Sequence, residues 1–173
     1  IFVEGIDFGF NAQVLRNGDF GWFEFSSGNA TGYSFLQNMP ELLNALRASG
    51  YDIILLDFAD GALEIERNSA LLQGLISLAN EYKTGFEELK IAGASRGGQI
   101  CRVALKQMEN AGIPHCTSHY ISLDSPHQGA NLPLSMQAAI YYSSSFNAGA
   151  QDFLTSFLKR PATLQLLILQ FNE

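Results

Sequence analysis

Six residues near the middle of the chain, Gly93-Ala94-Ser95-Arg96-Gly97-Gly98, carry the pattern best suited to covalent chemistry. A serine hydroxyl is a weak nucleophile by itself. It becomes accessible when a sharp turn between a strand and a helix thrusts it clear of the sheet, the arrangement that G-x-S-x-G produces in that context. Gly93 and Gly97 have no Cβ, so strand and helix can approach closely across the turn, and Gly98 adds room. The chemistry this suits is attack by Ser95 on a carbonyl carbon. The resulting oxyanion would be met by backbone N–H groups at the positive end of the following helix. The N–H of Arg96 is one predicted donor. A second is expected from the loop after an earlier strand, and Val3-Glu4-Gly5-Ile6-Asp7 fits that place. Gly5 permits the tight turn, the N–H of Ile6 is the first choice of donor, and Asp7 is the alternative. The competing reading is a glycine-rich phosphate turn. Neither common form is present, because G-x-G-x-x-G fails at Ser95 and no Gly-Lys-Ser/Thr follows.

A serine of this kind needs a base and an acid, in the chain order Ser, acid, His. Asp124 and His127, in Leu123-Asp124-Ser125-Pro126-His127-Gln128-Gly129, satisfy that order. Asp124 reads either as the acid or as a carboxylate that orders the strand-end loop. His127 lies only three residues further on, which favours a loop brace over a catalytic base. His115, in a turn after Pro114, and His119, within a strand, read as structural. The Arg96 side chain places a charge beside the nucleophile, either for an acidic substrate group or for an ion pair with Asp7 or Glu4.

Together, Val3-Glu4-Gly5, the elbow at 93–98 and Asp124-Ser125-Pro126-His127-Gln128-Gly129 resemble the α/β-hydrolase superfamily. The nearest likeness is to lipase-like and inositol-deacylase-like serine hydrolases, many of which carry Thr/Ser-Pro-His-x-Gly after the strand that follows the elbow. The likeness runs from residue 1 to about 134. It implies hydrolysis of a small-molecule or lipid carboxylic ester by acyl transfer through Ser95, with no metal or organic cofactor. It also implies export or a place in a bacterial cell envelope. Two departures stand out. Many relatives have His-Gly where this chain has Glu4-Gly5. Members also place their acid and histidine after strands later than any seen here, and the helices after Leu134 resemble the cap that precedes those strands. The expectation is therefore a piece of the fold, with its activating acid and histidine outside it and little activity by itself. Two other readings stay open: a non-catalytic binding or structural module on the same fold, and an acyltransferase using the same elbow.

The elements that must position these residues follow from patterning. The order strand, helix, strand, helix, strand, helix, strand, then helices alone, predicts an α/β fold: a parallel sheet with helices on both faces. Residues 1–134 form the expected core and 135–173 a helical cap or lid. Strands are expected at Ile1 to Glu4, Tyr51 to Phe58, Leu89 to Ala92 and His119 to Asp124, the last as an internal strand. Helices are expected from Asn38 to Gly50, Asn68 to Lys83 (Leu71, Leu72, Leu75, Ile76 and Ala79 inward) and Gln99 to Asn110. The aromatic-rich stretch from Gly5 to Gly32 is expected to fold over a pocket or form a small hairpin. Met136, Ile140, Tyr141, Tyr142, Phe146, Phe153, Phe157 and Leu158 suit an acyl-binding cap, or simply pack on one another.

Composition excludes several classes. With 173 residues, 47% apolar and 16% charged, the chain can bury a core and does not resemble a disordered segment. Ten Lys+Arg against 17 Asp+Glu give a formal charge of −7. No basic stripe exists for nucleic acid, and an acidic surface disfavours anionic lipid heads. No apolar run approaches the roughly 20 residues of a membrane span. Cys101 and Cys116 are too few for a disulfide scaffold or a four-ligand zinc site. They read as core thiols, or as a single bridge in a secreted setting.

Overall fold

The computed structural model describes residues 1–5 and 40–171, together with the backbone of 12–17 and 22–27. Strands β1 (Phe2–Val3), β4 (Leu55–Leu56), β5 (Leu89–Ala94) and β6 (Thr117–Leu123) run mutually parallel in the spatial order β4-β1-β5-β6. An antiparallel hairpin of β2 (Ala12–Asn17) and β3 (Trp22–Ser27) extends the sheet through one parallel bridge, Glu24 to Leu55. The expectation of a small hairpin within the aromatic segment is met at the backbone level.

Helix α1 (Pro40–Ala48) follows the hairpin, and its cap residue Asn38 lies outside the described residues. It ends at Gly50, whose φ of 82° is the left-handed conformation a helix stop requires. None of its residues is buried. Helices α2 (Ile65–Tyr82) and α3 (Arg96–Asn110) pack together over the sheet. Val3 and Ile91 from the sheet meet Leu72 and Ile76 of α2 and Ile100, Cys101, Ala104, Leu105 and Met108 of α3. The helical period explains this set: Leu72 and Ile76 lie one turn apart, as do Ile100, Ala104 and Met108. Leu71 departs from the inward face predicted for it, being 58% exposed. It lies one position off the buried Leu72/Ile76 row, and Asn68 and Ser69 take the buried positions one turn earlier.

Two strand expectations need correction. The strand at 51–58 is assigned only at Leu55–Leu56, although Phe2 N–H to the Ile54 carbonyl (2.7 Å) and Glu4 N–H to the Leu56 carbonyl (3.2 Å) continue its ladder. β6 is the edge of the described sheet rather than an internal strand, and Ile121 and Leu123 on it stay exposed.

Beyond β6 come α4 (Leu134–Ser143), α5 (Ala148–Phe153), a π-helical turn (Leu154–Leu158) and α6 (Pro161–Leu166). Helix does not continue to the end. Leu167 instead forms a parallel bridge to Ala130, with Ala130 N–H on the Leu166 carbonyl and Ile168 N–H on the Ala130 carbonyl. Both cysteines are free; Cys101 is buried and Cys116 exposed, so only the first is a core thiol. Burial pushes the Cys101 thiol up to about 12, leaving it protonated and unreactive.

Candidate active site

Ser95 lies between β5 and α3 with φ 51° and ψ −124°. A non-glycine residue held in such a sparsely populated region carries strain on the order of 1–3 kcal/mol and persists only where its surroundings over-determine it. Here they do. The Ser95 N–H donates to the Leu123 carbonyl at 2.8 Å, and the Gly98 N–H donates to the Ser95 carbonyl at 3.2 Å. A Cβ on Gly93 would lie 2.5 Å from the Gly97 and Gly98 backbone. One on Gly97 would overlap the Glu4 carbonyl, and one on Gly98 would overlap Ser125 Oγ. Strand, turn and helix are packed to backbone contact, and the Ser95 side chain is left exposed to solvent.

The sheet topology puts this turn at the place where such folds bind ligands. The chain leaves β1 towards β4 on one side and leaves β5 towards β6 on the other. The crevice between the carboxyl ends of β1 and β5 is therefore a topological switch point. Gly5 borders it. A Cβ there would lie 3.1 Å from Ser95 Cβ and 3.7 Å from its Oγ, so the chain leaving β1 passes beside the hydroxyl. Arg96 is the first residue of α3, and its N–H has no acceptor within the helix. Ile6 and Asp7, the two candidates for the second donor, lie outside the described residues.

The Arg96 side chain turns away from solvent and is wholly buried. Its Nη1 donates to the Leu63 carbonyl at 2.8 Å. Burial pushes the guanidinium down to about 10, while the nearby carboxylates of Glu4 and Asp60 pull the other way. It therefore stays charged at neutral pH. Of the partners anticipated for it, Glu4 lies nearby and Asp7 lies outside the described residues; the arginine side chain is buried rather than presented to solvent. Glu4 is itself buried, and its Oε1 accepts from the Phe58 N–H at 2.5 Å.

Asp124 follows the residue whose carbonyl holds the Ser95 N–H, and it has a positive φ of 47° and an exposed side chain. His127 Nε2 lies 2.8 Å from Ser122 Oγ and 3.4 Å from Tyr120 Oη. Tyr120 Oη in turn donates to the Gly98 carbonyl at 2.6 Å, and Gln99 Nε2 donates to the Pro126 carbonyl at 2.5 Å. The Ser-Pro-His loop is thus laced onto the start of α3, which matches a bracing position for His127. His115 Nδ1 accepts from the Thr117 N–H, and His119 Nδ1 lies 3.0 Å from Ser118 Oγ. Among the described residues, no side chain is hydrogen-bonded to Ser95 Oγ, and Asp124 and His127 are not hydrogen-bonded to one another.

Sequence reasoning missed the loop after β4. Asp60 accepts from the Ala62 N–H and is paired with Arg160, and Leu63 supplies the carbonyl for Arg96. Spacing gives no signal for contacts 33 and 100 residues apart, such as Arg96 with Leu63 and Arg160 with Asp60; the sequence offered only Glu4 or Asp7 as a possible ion-pair partner of Arg96.

The aromatic residues after Leu134 largely pack on one another. Phe153 and Phe157 lie 4.9 Å apart and Tyr142 and Phe146 5.4 Å apart, with Tyr142 and Phe146 mostly exposed. A cleft lined by Glu88, Glu109 and residues 112–117 opens at the amino ends of β5 and β6, away from Ser95. Among the described residues no helix is long and apolar enough to cross a membrane, and no group of three or more His, Cys, Asp and Glu is placed to hold a metal.

Comparison with protein-family models, curated proteins and solved structures finds no match to this chain. By its own structure it is an α/β protein whose parallel sheet ends, at the switch point, in an exposed serine on a strained turn.

Proposed function

We propose that this protein is a serine hydrolase of the α/β-hydrolase type, acting on carboxylic esters by acyl transfer to Ser95 and then to water. The observation that carries the reading is the Ser95 backbone: a non-glycine residue at φ 51°, exposed, between a parallel strand and a helix N-terminus. Strain held in place by backbone-to-backbone packing has no evident structural use there, whereas a protruding nucleophile requires it. In this reading the Arg96 N–H is one oxyanion donor, and the chain after Gly5 supplies the other from Ile6 or Asp7.

The serine still needs a proton acceptor. None of the three histidines is hydrogen-bonded to Ser95, and His127 is engaged by Ser122. Asp124, after the strand that follows the elbow, remains the candidate acid in the chain order serine, acid, histidine. The reading therefore expects weak turnover from residues 1–173 alone, sustained by binding and the oxyanion donors. It expects efficient turnover where a histidine oriented by an acid reaches the Ser95 hydroxyl. The test is hydrolysis of p-nitrophenyl acetate and butyrate by the gene-encoded protein and its Ser95→Ala variant. Loss of at least about 1000-fold in kcat/KM on substitution supports the reading. Equal rates, or none in either folded protein, favour a non-catalytic binding module on this scaffold.

A further inference from the structure

We propose that Tyr120 is a positioning residue for Ser95: its hydroxyl grips the first turn of α3 at Gly98 and so holds the strained serine, and the helix N–H beside it, in register with β6. The inference rests on the reading of Ser95 as a nucleophile and deepens it by naming a residue that acts through the turn rather than on substrate.

Tyr120 and Ser122 lie two apart on β6, so they share one face of that strand. The Tyr120 ring packs against the core cluster, and its hydroxyl donates to the Gly98 carbonyl at 2.6 Å. Gly98 is the third residue of α3. A helix carbonyl at that place accepts the N–H four residues on, so the phenol meets its second lone pair and is not needed to satisfy it. What the bond fixes is position. Gly98 is held from both sides, because its N–H donates to the Ser95 carbonyl at 3.2 Å while its carbonyl accepts from Tyr120. The Ser95 N–H is held in turn by the Leu123 carbonyl at 2.8 Å. β6 therefore grips the turn at Ser95 and again one helical turn later.

Relaxing the φ of 51° at Ser95 would swing the start of α3 relative to β6, and the Tyr120 bond opposes that movement. The fit around Gly98 leaves little slack. A Cβ there would lie 2.0 Å from Ser125 Oγ and 2.8 Å from Ser122 Oγ. The phenol is steadied from outside as well: Tyr120 Oη lies 3.4 Å from His127 Nε2, which lies 2.8 Å from Ser122 Oγ. The Arg96 N–H, the proposed oxyanion donor, belongs to the turn so held, and the value of such a donor depends on its direction.

Tyr120→Phe removes the hydroxyl and keeps the ring that packs on the core. Ser118→Ala is the control, since Ser118 lies on the same strand and its hydroxyl meets only the Leu89 carbonyl and His119. The gene-encoded protein and both variants are compared well below their Tm. The readouts are p-nitrophenyl acetate kinetics, affinity for an alkyl boronic acid that mimics the tetrahedral intermediate, and exchange of the Ser95 and Gly98 amides.

For Tyr120→Phe, kcat should fall about tenfold with KM within about twofold of wild type, and boronate affinity should fall by the same factor as kcat/KM. Exchange at Ser95 and Gly98 should rise about tenfold while α2 is unaffected. Ser118→Ala should change none of these. A hydroxyl that merely stabilises the fold would lower Tm and leave kcat, boronate affinity and local exchange as they were. If Tyr120→Phe does not fold, Ser122→Ala, which frees His127 beside the phenol, should move the same readouts in the same direction by smaller factors. Wild-type kcat in folded Tyr120→Phe, a loss carried by KM alone, or unchanged exchange at Ser95 and Gly98 overturns the proposal. Absence of ester turnover in the wild-type protein would instead defeat the nucleophile reading, and the exchange measurement would still decide whether Tyr120 holds the turn.

Discussion

The turn at Ser95 and the helical segment from Leu134 to Leu166 are built by different means. At the turn, backbone meets backbone: Gly93 against Gly97 and Gly98, and Gly97 against the carbonyl of Glu4. No side chain can be added there without moving a strand or a helix. The helical segment buries Leu154, Leu158, Ala162 and Leu166 but leaves Tyr142 77% and Phe146 71% exposed. It is tied to the loop after β4 by the Arg160–Asp60 pair and by Ala162 N–H on the Ala62 carbonyl, and to the start of α2 by Gln165, which meets both the Ile65 N–H and Glu66. One region is fixed by steric exclusion and buried charge, the other by a modest core and a few polar ties. A nucleophile needs the first kind of construction, because small displacements of reacting groups are costly in rate. A segment that shapes or covers a crevice can be built the second way.

That contrast can be broken most forcefully at Gly97. Gly97→Ala pushes a methyl into the Glu4 carbonyl and should destabilise the protein by about 3 kcal/mol or more. A urea midpoint within error of wild type would show that the turn is looser than described. Next in size is the tie to the helical segment. Arg160→Met removes a partly exposed ion pair and should lower stability by about 1 kcal/mol. A loss as large as that for Gly97→Ala would erase the distinction between the two regions. Smallest is Gly149→Ala in α5, where an added Cβ meets only Asn147 Oδ1, at 3.3 Å. Its effect should stay within about 0.5 kcal/mol by the same urea titration.

The sequence exposed the turn because its constraint is local: three glycines around one serine, bounded by an apolar strand and an amphipathic helix, declare a close approach. The parallel strands and α3 were legible for the same reason, through short apolar runs and a period near 3.6. What was hidden depends on distant pairing. Leu71 and Leu72 are equivalent in composition, and only the packing of α2 on α3 decides which faces inward. The edge position of β6 could not be inferred from its residues, since Ile121 and Leu123 look like core until their neighbours are counted. Glu4 and Arg96 were each visible as anomalies, one acidic residue at a strand end and one cation beside a serine. Where each is anchored, Glu4 on the Phe58 N–H and Arg96 on the Leu63 carbonyl, follows only from the parallel pairing of β1 with β4 and β5.

The most direct test is covalent. The folded, gene-encoded protein is incubated with a fluorophosphonate, digested, and the adduct located by mass spectrometry. Ser95 is predicted to carry the phosphonyl group, with no adduct in Ser95→Ala. A folded protein left unmodified at Ser95, or modified equally at other exposed serines, would contradict the account.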